Sequence, residues 1–451
     1  MRMAGTRTTS LVVALAFLAQ PAFSQSAPEV SGQLDVGARY YFDDGLYSGQ
    51  SSSGTYGFVG FSLEGGFSLG NGQVVFGLSG LAEDTNGRSY ANIGRLYYRE
   101  VFDGWDALAG FNTENWGVVE SRSLLNVMNP RDTSDPIAGN GFLGTPMVNV
   151  NMYTDYGTFS IYALTGFVEP NYGGLESRFR APIIPDYDNP VFEEGDKRHL
   201  DFALRYSHSF PVGRGALDIS ASYFSGTDRN AVCSATGTGA SSCYDAVVTA
   251  LGAPPGAPAA GATSDEFWTW MAANATDALV SGASATPVPG LSAFYQKIDQ
   301  VGISAVYTYE DLQLRFEAIN RHVTGGDYFA AVVGGDYTWN NIAGGPGSLS
   351  VAIEYLYDDR SSAQGIPIFE DDLFLGLQYR FNNRLDSTIN FSMFHDLSSS
   401  AKLYRLGVSS RITDRIGIEM NASAVDTDGW NDPLAFIRND DFIELKLSTY
   451  F

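Results

Sequence analysis

The sequence predicts an all-β protein: a transmembrane antiparallel β-barrel of about 18 strands, with about 16 as the second choice. Three observations carry that expectation. Segments of about 10 residues with alternating apolar and polar side chains recur to the end of the chain, and a tilted strand needs that length to cross the hydrocarbon core. The connections between these segments alternate, short then long. Beyond the N-terminal region, nothing supplies the ~20 consecutive apolar residues of a membrane-spanning helix. Composition agrees, because 50 Gly, 29 Phe and 25 Tyr with only 17% charged residues is a β composition.

In chain order, Arg2 and Arg7 make a basic region, Leu11–Leu18 a short apolar run, and Ala22-Phe23-Ser24 offers small residues at signal-peptidase spacing. Residues 1–24 read as a cleaved secretory signal, with the mature chain starting near Gln25 and residues 25–451 forming one barrel with long outer loops. The expected strands begin with Gly32–Phe42, Tyr56–Leu69, Gln73–Ala82, Asn92–Phe102, Trp105–Asn115 and Met147–Asp155. Phe159–Val168, His199–Phe210, Ala216–Ser225, Lys297–Tyr309, Leu312–His322 and Asp327–Trp339 continue the series. The last are Leu349–Asp358, Asp372–Phe381, Leu385–His395, Leu403–Ile412, Ile416–Val425 and Arg438–Phe451.

Even-numbered gaps are mostly turn-like, such as Gly70-Asn71-Gly72, Asp103-Gly104 and Glu310-Asp311, where Asn-Gly and Asp-Gly tolerate positive φ. Odd-numbered gaps are often long, such as Trp116–Pro146, Glu169–Arg198 and Gly226–Gln296. A soluble sandwich has no reason to sort its loops by parity, whereas a barrel across a membrane does.

Charge facing lipid at mid-depth costs about 2–4 kcal/mol for Arg or Lys, so the charged face of each strand is expected inside. Leu312, Leu314, Phe316 and Ala318 then point outward while Arg315, Glu317 and Arg321 point inward. The same alternation sends Glu64, Arg95, Arg99, Arg205, Glu354, Arg380, Arg405, Arg411, Glu419, Glu444 and Lys446 inward as pore-lining residues. About 18 strands enclose more space than side chains fill, which favours a wet lumen over a closed network of ion pairs. Tyr40, Tyr41, Tyr97, Tyr98, Tyr206, Trp339, Phe381 and Tyr450, near strand ends, are expected in the interface girdles.

Two loops stand out. Gly226–Gln296 holds Cys233 and Cys243, expected to form one loop disulfide in an exported chain. Further on, Ser264 can cap a short helix to about Ala278, with Asp265 and Glu266 in its first turn; a low-complexity surface loop is the other reading. In Trp116–Pro146, Pro130 and Pro136 break regular structure, and Arg122, Arg131, Asp132 and Asp135 need water or partners.

Two features resemble a known family. The chain ends on Phe451 in a strand with Ile443, Leu445, Leu447 and Thr449 on one side and Glu444, Lys446, Ser448 and Tyr450 on the other. That ending resembles the assembly signal that closes outer-membrane barrels of Gram-negative bacteria. Trp116-Gly117 followed by Asn126-Val127-Met128-Asn129-Pro130-Arg131-Asp132 resembles a Trp-Gly … Asn-Pro-Arg-Asp pattern of porin-like outer-membrane barrels, some of them export-type channels.

The resemblance implies a bacterial outer-membrane location, with membrane lipid, lipopolysaccharide, the barrel-assembly machinery and small solutes as partners. It also implies an inward-folding constriction loop carrying Arg122, Arg131, Asp132 and Asp135. The expected function is a porin-like channel for passive diffusion of small solutes. The alternatives are a dedicated uptake or export channel for one solute class, an acidic polysaccharide or a hydrophobic compound, and an adhesin or structural barrel with ligand-binding outer loops. Solute identity, ion selectivity and oligomeric state stay open.

Other classes fare poorly. The four histidines, His199, His208, His322 and His395, sit in no nucleophile–base pattern, and no His-Glu-x-x-His, Gly-x-Ser-x-Gly or P-loop motif occurs. No enzyme activity, metal site or cofactor is expected. A net charge of -24 argues against nucleic acid, whose phosphates need Lys and Arg.

Overall fold

The computed structural model describes residues 28–85, 87–137, 141–180, 184–235, 264–274, 291–361, 364, 365, 367 and 369–451. The expected signal segment lies outside these residues, as does Cys243 and with it the expected Cys233–Cys243 pairing.

Eighteen antiparallel strands close into one barrel. They are β1 (Glu29–Tyr41), β2 (Gly54–Leu69), β3 (Gly72–Glu83), β4 (Tyr90–Phe102), β5 (Trp105–Asn112), β6 (Thr145–Thr154) and β7 (Gly157–Leu164). After a loop strand, β8 (Asp186–Phe192), come β9 (Asp201–Val212) and β10 (Gly215–Thr227). Two more loop strands, β11 (Val232–Ala235) and β12 (Leu291–Tyr295), precede β13 (Lys297–Tyr309), β14 (Leu312–Val323), β15 (Gly326–Trp339) and β16 (Ser348–Asp358). The rest are β17 (Asp371–Arg380), β18 (Thr388–Asp396), β19 (Lys402–Thr413), β20 (Ile416–Asp426) and β21 (Phe442–Tyr450). Each barrel strand pairs with its neighbour in sequence, and β21 pairs with β1 from Tyr41↔Phe442 to Gln33↔Tyr450 to complete the ring.

Every strand expected from the alternation is present, but some ends move. The last expected strand began at Arg438, yet Asp432 accepts from the Leu434 N–H and starts a 3-10 turn over Pro433–Ile437, which delays the strand to Phe442. The strand expected from Leu385 begins at Thr388, because Asn382 and Asp386 take the left-handed turn conformation at φ 48° and 49°. The sheet of β8, β11 and β12 was not expected: β12 runs parallel to β8 and antiparallel to β11, joining short segments far apart in sequence. Helix α1 (Ser264–Asn274) forms, and its Trp268 ring lies 5.4 Å from that of Phe436 in the loop between β20 and β21.

The barrel is inside out relative to a soluble protein. Outward residues such as Val333, Ile353 and Leu445 are 51%, 52% and 51% exposed, while inward Asp106 and Glu317 are 0% exposed. An outward band of apolar side chains needs lipid rather than water as its solvent. Aromatic pairs mark its edge at the short turns, with Phe102 stacked on Trp105 at 4.0 Å and Tyr337 beside Trp339 at 4.7 Å. Tyr41, Tyr97 and Tyr450 depart from the expected girdles and turn inward. Tyr41 and Tyr97 pack against interior clusters and Tyr450 lies beneath the Arg411 guanidinium, because each sits on the polar parity of its strand.

The lumen is asymmetric along its axis. Near the short turns, inward side chains such as Glu64 and Arg95 are 61% and 47% exposed. Toward the long loops the interior fills. Trp116, Leu125, Val127 and Met128 of the loop between β5 and β6 pack against walls that include Tyr162, Phe224 and Ile319. Ile137 of the same loop, with Phe179 and Leu434 of two other loops, packs against Phe374, Phe394 and Phe442.

Inward and outward positions should differ sharply in their tolerance of charge. Leu445→Arg is expected to cost about 2–4 kcal/mol in equilibrium urea unfolding from lipid vesicles, whereas Glu64→Arg should stay within about 0.5 kcal/mol. Equal costs at the two sites would contradict the assigned register.

Candidate functional site: an inward loop and its arginines

The loop after β5, described over residues 113–137 and 141–144, folds into the barrel, and its first part crosses toward β14 and β16. Its backbone leaves the strand ladder, so its N–H groups need other acceptors. Two wall carboxylates provide them. Glu317 on β14 accepts from the N–H groups of Val118 at 2.5 Å, Val119 at 3.3 Å and Leu124 at 2.8 Å, and from the Ser123 hydroxyl at 2.9 Å. Glu354 on β16 accepts from the Glu120 and Ser121 N–H groups, each at 2.8 Å. Both carboxylates are buried. Hydrogen bonds to ionised groups are stronger than neutral ones, and the convergent N–H dipoles offset the cost of burying each charge.

The loop also braces itself. Asn126 Oδ1 accepts from the N–H groups of Trp116 at 2.6 Å and Gly117 at 3.2 Å. Asn129 joins the two ends of the loop: its Oδ1 accepts from Glu114 N–H at 2.8 Å, and its Nδ2 donates to the carbonyls of Asn112 at 2.9 Å and Leu143 at 3.0 Å. Gly117 permits the tight fold, because a Cβ there would stand 2.4 Å from the Ser123 Cβ. Buried Trp116 meets Tyr162 edge to face at 5.5 Å and lies 5.8 Å from the Arg205 guanidinium.

The four charges singled out in this loop split into two kinds. Asp132 and Asp135 are buried and do not face the passage. Asp132 accepts from Ser134 N–H at 3.0 Å and Asn171 Nδ2 at 3.0 Å, which fastens the loop to its neighbour. Asp135 lies between Arg39 at 2.7 Å and Arg88 at 2.9 Å, and both arginines also reach Glu444. Arg122 and Arg131 are different: among the described residues neither has a carboxylate within ion-pair distance. Arg122 sits 5.9 Å from the Phe369 ring centre and Arg131 4.4 Å from that of Phe142. Desolvation at this depth, with Arg131, Arg360 and Arg405 nearby, pulls the Arg122 guanidinium down to about 10.

The residues expected to line the pore all occupy inward registers, but they differ in what surrounds them. Glu64, Arg95, Arg99, Arg380 and Arg411 stand toward the short-turn rim, where Arg99 pairs with Asp106 at 2.5 Å. Glu419 and Lys446 pair at 3.0 Å. Arg315 reaches Asp336 at 2.8 Å and the loop's Glu120. Glu317, Glu354 and Glu444 are covered, and so is Arg321, whose guanidinium donates to Gln300 Oε1 at 2.8 Å and pairs with Asp228 at 3.2 Å. Arg205 and Arg405 face inward, each with a buried Nε that has no acceptor among the described residues.

The fold is a closed 18-stranded antiparallel β-barrel with an apolar outer band. No protein-family model matches the chain, and no curated protein matches it. Solved structures of similar shape include OccK8 (OprE) of Pseudomonas aeruginosa, 9% identical, covering 94% of this chain and 97% of that one at a TM-score of 0.46. OccK5 (OpdH) of the same organism is 9% identical, covering 94% and 98% at a TM-score of 0.45. The outer membrane channel DcaP of Acinetobacter baumannii is 10% identical, covering 94% and 97% at a TM-score of 0.42. These likenesses carry no argument of their own; the barrel stands on its strand pairing.

A second acidic group shapes the mouth. Asp432, in the loop between β20 and β21, lies near Asp396 of β18 and accepts from the Ser399 hydroxyl at 2.8 Å. Burial, with the Asp396 charge adding to it, pushes the Asp432 carboxyl up to about 7. A raised carboxyl means that ionisation opposes the folded state, so the stability that depends on this group is lost as pH rises from about 4 to about 7. Melting of the wild type should therefore fall more between pH 5 and pH 8 than melting of Asp432→Asn, and parallel curves would contradict the assignment.

Releasing the loop is the direct test of its anchors. In Glu317→Ala with Glu354→Ala, the freed N–H groups lose acceptors worth about 1–3 kcal/mol each. The barrel should persist, read as retained heat-modifiable mobility in gels, while limited proteolysis should cut within residues 113–144. Unchanged protection would show that the carboxylates do not hold the loop.

Proposed function

We propose that the chain is a passive outer-membrane channel for small solutes, and that the loop of residues 113–144 sets its narrowest point. The observation that carries this reading is the loop itself, drawn across the lumen and held by Glu317 and Glu354. A barrel that served only as a scaffold or an adhesin would have no need to hold a loop across its interior by buried charge, which is costly unless fully compensated. The wet, exposed side chains toward the short turns give a wide entry, and the inward loop supplies a size filter. Membrane lipid, lipopolysaccharide and an assembly machinery that recognises the strand ending at Phe451 are the partners this reading includes. No part of the reading calls for catalysis, a metal or a cofactor.

Planar-bilayer recording tests it. Purified protein should insert with discrete conductance steps, and the Glu317→Ala, Glu354→Ala variant should give larger ones. Absence of conductance in both proteins would overturn the channel reading and favour a binding or structural role for the outer loops.

A further inference from the structure

We infer that Asp372, Asp396 and Asp432 form a proton-operated latch at the mouth, which holds the loop between β20 and β21 down over the lumen in acid and releases it in alkali. The latch rests on the fold alone, and its effect on passage rests on the channel reading.

The loop of residues 427–441 folds into the mouth. Leu434 of its 3-10 turn is buried with Phe374, Phe394 and Phe442 of the wall, and Ile137 of the inward loop joins the same cluster. Phe436 carries the Trp430 ring at 5.8 Å and the Trp268 ring of α1 at 5.4 Å. Lifting this turn therefore also takes the support from under α1.

Three carboxyls meet where the loop touches the wall. Asp372 of β17 and Asp396 of β18 stand directly opposite each other in the strand register, and the Asp432 carboxyl reaches Asp396 from the loop. They are 2%, 4% and 2% exposed. Asp396 accepts from the Ser398 N–H at 2.7 Å, and Asp432 from the Leu434 N–H at 2.6 Å. Asp372 Oδ2 is buried with no hydrogen-bond partner among the described residues. No Lys, Arg or His among the described residues pairs with any of the three. Glu370 adds a further negative charge near Asp372. Arg405 of β19 senses Asp135 instead. Within the loop, Asp440 is taken by Arg178 at 2.7 Å, Asp441 accepts from the Val425 N–H at 2.8 Å, and Arg438 lies on the Trp430 ring at 4.6 Å.

Three ionised carboxyls cannot share a buried site without a counter-ion. Retained protons resolve the conflict, because a protonated carboxyl donates to its neighbour. The three groups then titrate as a set, and burial with the Asp396 charge holds the Asp432 carboxyl well above the usual range. When the set loses its protons to the bulk solution, repulsion acts on the member that can move. Asp372 and Asp396 are fixed, since β17 and β18 are paired on both sides. Asp432 is on a loop, so it leaves, and the turn at Pro433–Ile437 goes with it.

The test uses the full-length protein. In planar bilayers with KCl on both sides, wild-type conductance should rise on the order of twofold between about pH 5 and about pH 8.5. Asp432→Asn cannot ionise and should keep the low-pH conductance throughout, while Asp372→Asn should weaken the rise. In detergent at about pH 8.5, trypsin should cut after Arg438 severalfold faster in the wild type than in Asp432→Asn. Retained heat-modifiability shows that each variant is folded. The same conductance rise in Asp432→Asn would place the titration elsewhere and overturn the latch. Closure of the wild type at about pH 8.5 by calcium chloride, lost in Asp432→Asn, would assign the cluster to a divalent cation and overturn the proton reading. Faster cutting without a conductance change in a conducting protein would overturn the gate. No conductance at any pH would remove the channel reading, and the trypsin comparison would still decide the latch.

Discussion

The constraint on which this barrel depends is the accounting of backbone N–H groups inside a closed wall. Each wall strand meets a partner on both sides, so the wall spends its own donors and acceptors on pairing. Inside the lumen the N–H groups of Val118, Val119, Glu120, Ser121 and Leu124 are met by side chains, and only near its end does the loop reach a wall carbonyl, from Gly144 N–H to Ile93. Glu317 and Glu354 meet the former with carboxylates, the strongest acceptors available. Their positions decide where residues 118–124 cross, and that in turn decides which other loop residues face the passage. Trp116 is carried into the apolar side of the lumen against Tyr162, and Arg122 into the open side beside Phe369.

The same use of carboxylates sets the sign of the interior. A wall carboxylate that binds peptide N–H groups no longer neutralises a neighbouring arginine. Asp135 and Glu444 are drawn into a cluster with Arg39 and Arg88, where the guanidinium of Arg39 also lies 3.7 Å from the Phe442 ring. The cluster joins the loop to the wall, and Glu83 adds a third carboxylate to it through Arg88 at 2.7 Å. Outside it, Arg122, Arg131 and Arg405 have no carboxylate within ion-pair distance among the described residues. Local charge in the lumen is thus a remainder after structural needs are met, and the charge of the whole chain says little about it.

Much of the barrel was legible in the sequence because lipid enforces a period of two. Leu314, Phe316 and their counterparts must face out, so Arg315 and Glu317 must face in, and no packing detail can override that. Strand ends were less legible, since a side chain such as Asp432 can stop a ladder by capping a turn that alternation does not reveal. The sheet of β8, β11 and β12 was hidden because its pairings join short segments across long stretches of chain. The inward turn of the 113–144 loop was legible through its Trp-Gly and Asn-Pro-Arg-Asp residues, but the roles within it were not. Asp132 and Asp135 read as passage charges and are ties; Glu317 and Glu354 read as passage charges and are anchors. One-dimensional alternation gives the side of the wall on which a charge lies, not the partner waiting there. Asn126 and Asn129, polar residues flanking an apolar pair, were the available hint of a self-bracing loop.

The seam between β1 and β21 has a consequence for the order in which the molecule matures. Gly32 and Phe451 exchange backbone hydrogen bonds at 2.9 and 3.0 Å, joining the two ends of the described chain. Higher on the same seam, Arg39 of β1 and Glu444 of β21 meet Asp135 of the inward loop. Until the ring shuts, Asp135 and Arg39 lack one member of their cluster, and the loop lacks one of its ties. Closure spans most of the chain, a pairing that contributes slow, late contacts to folding. The cluster of Arg39, Asp135 and Glu444 is therefore complete only once the ring has shut: a cylinder still open at its seam would hold the inward loop by one tie fewer.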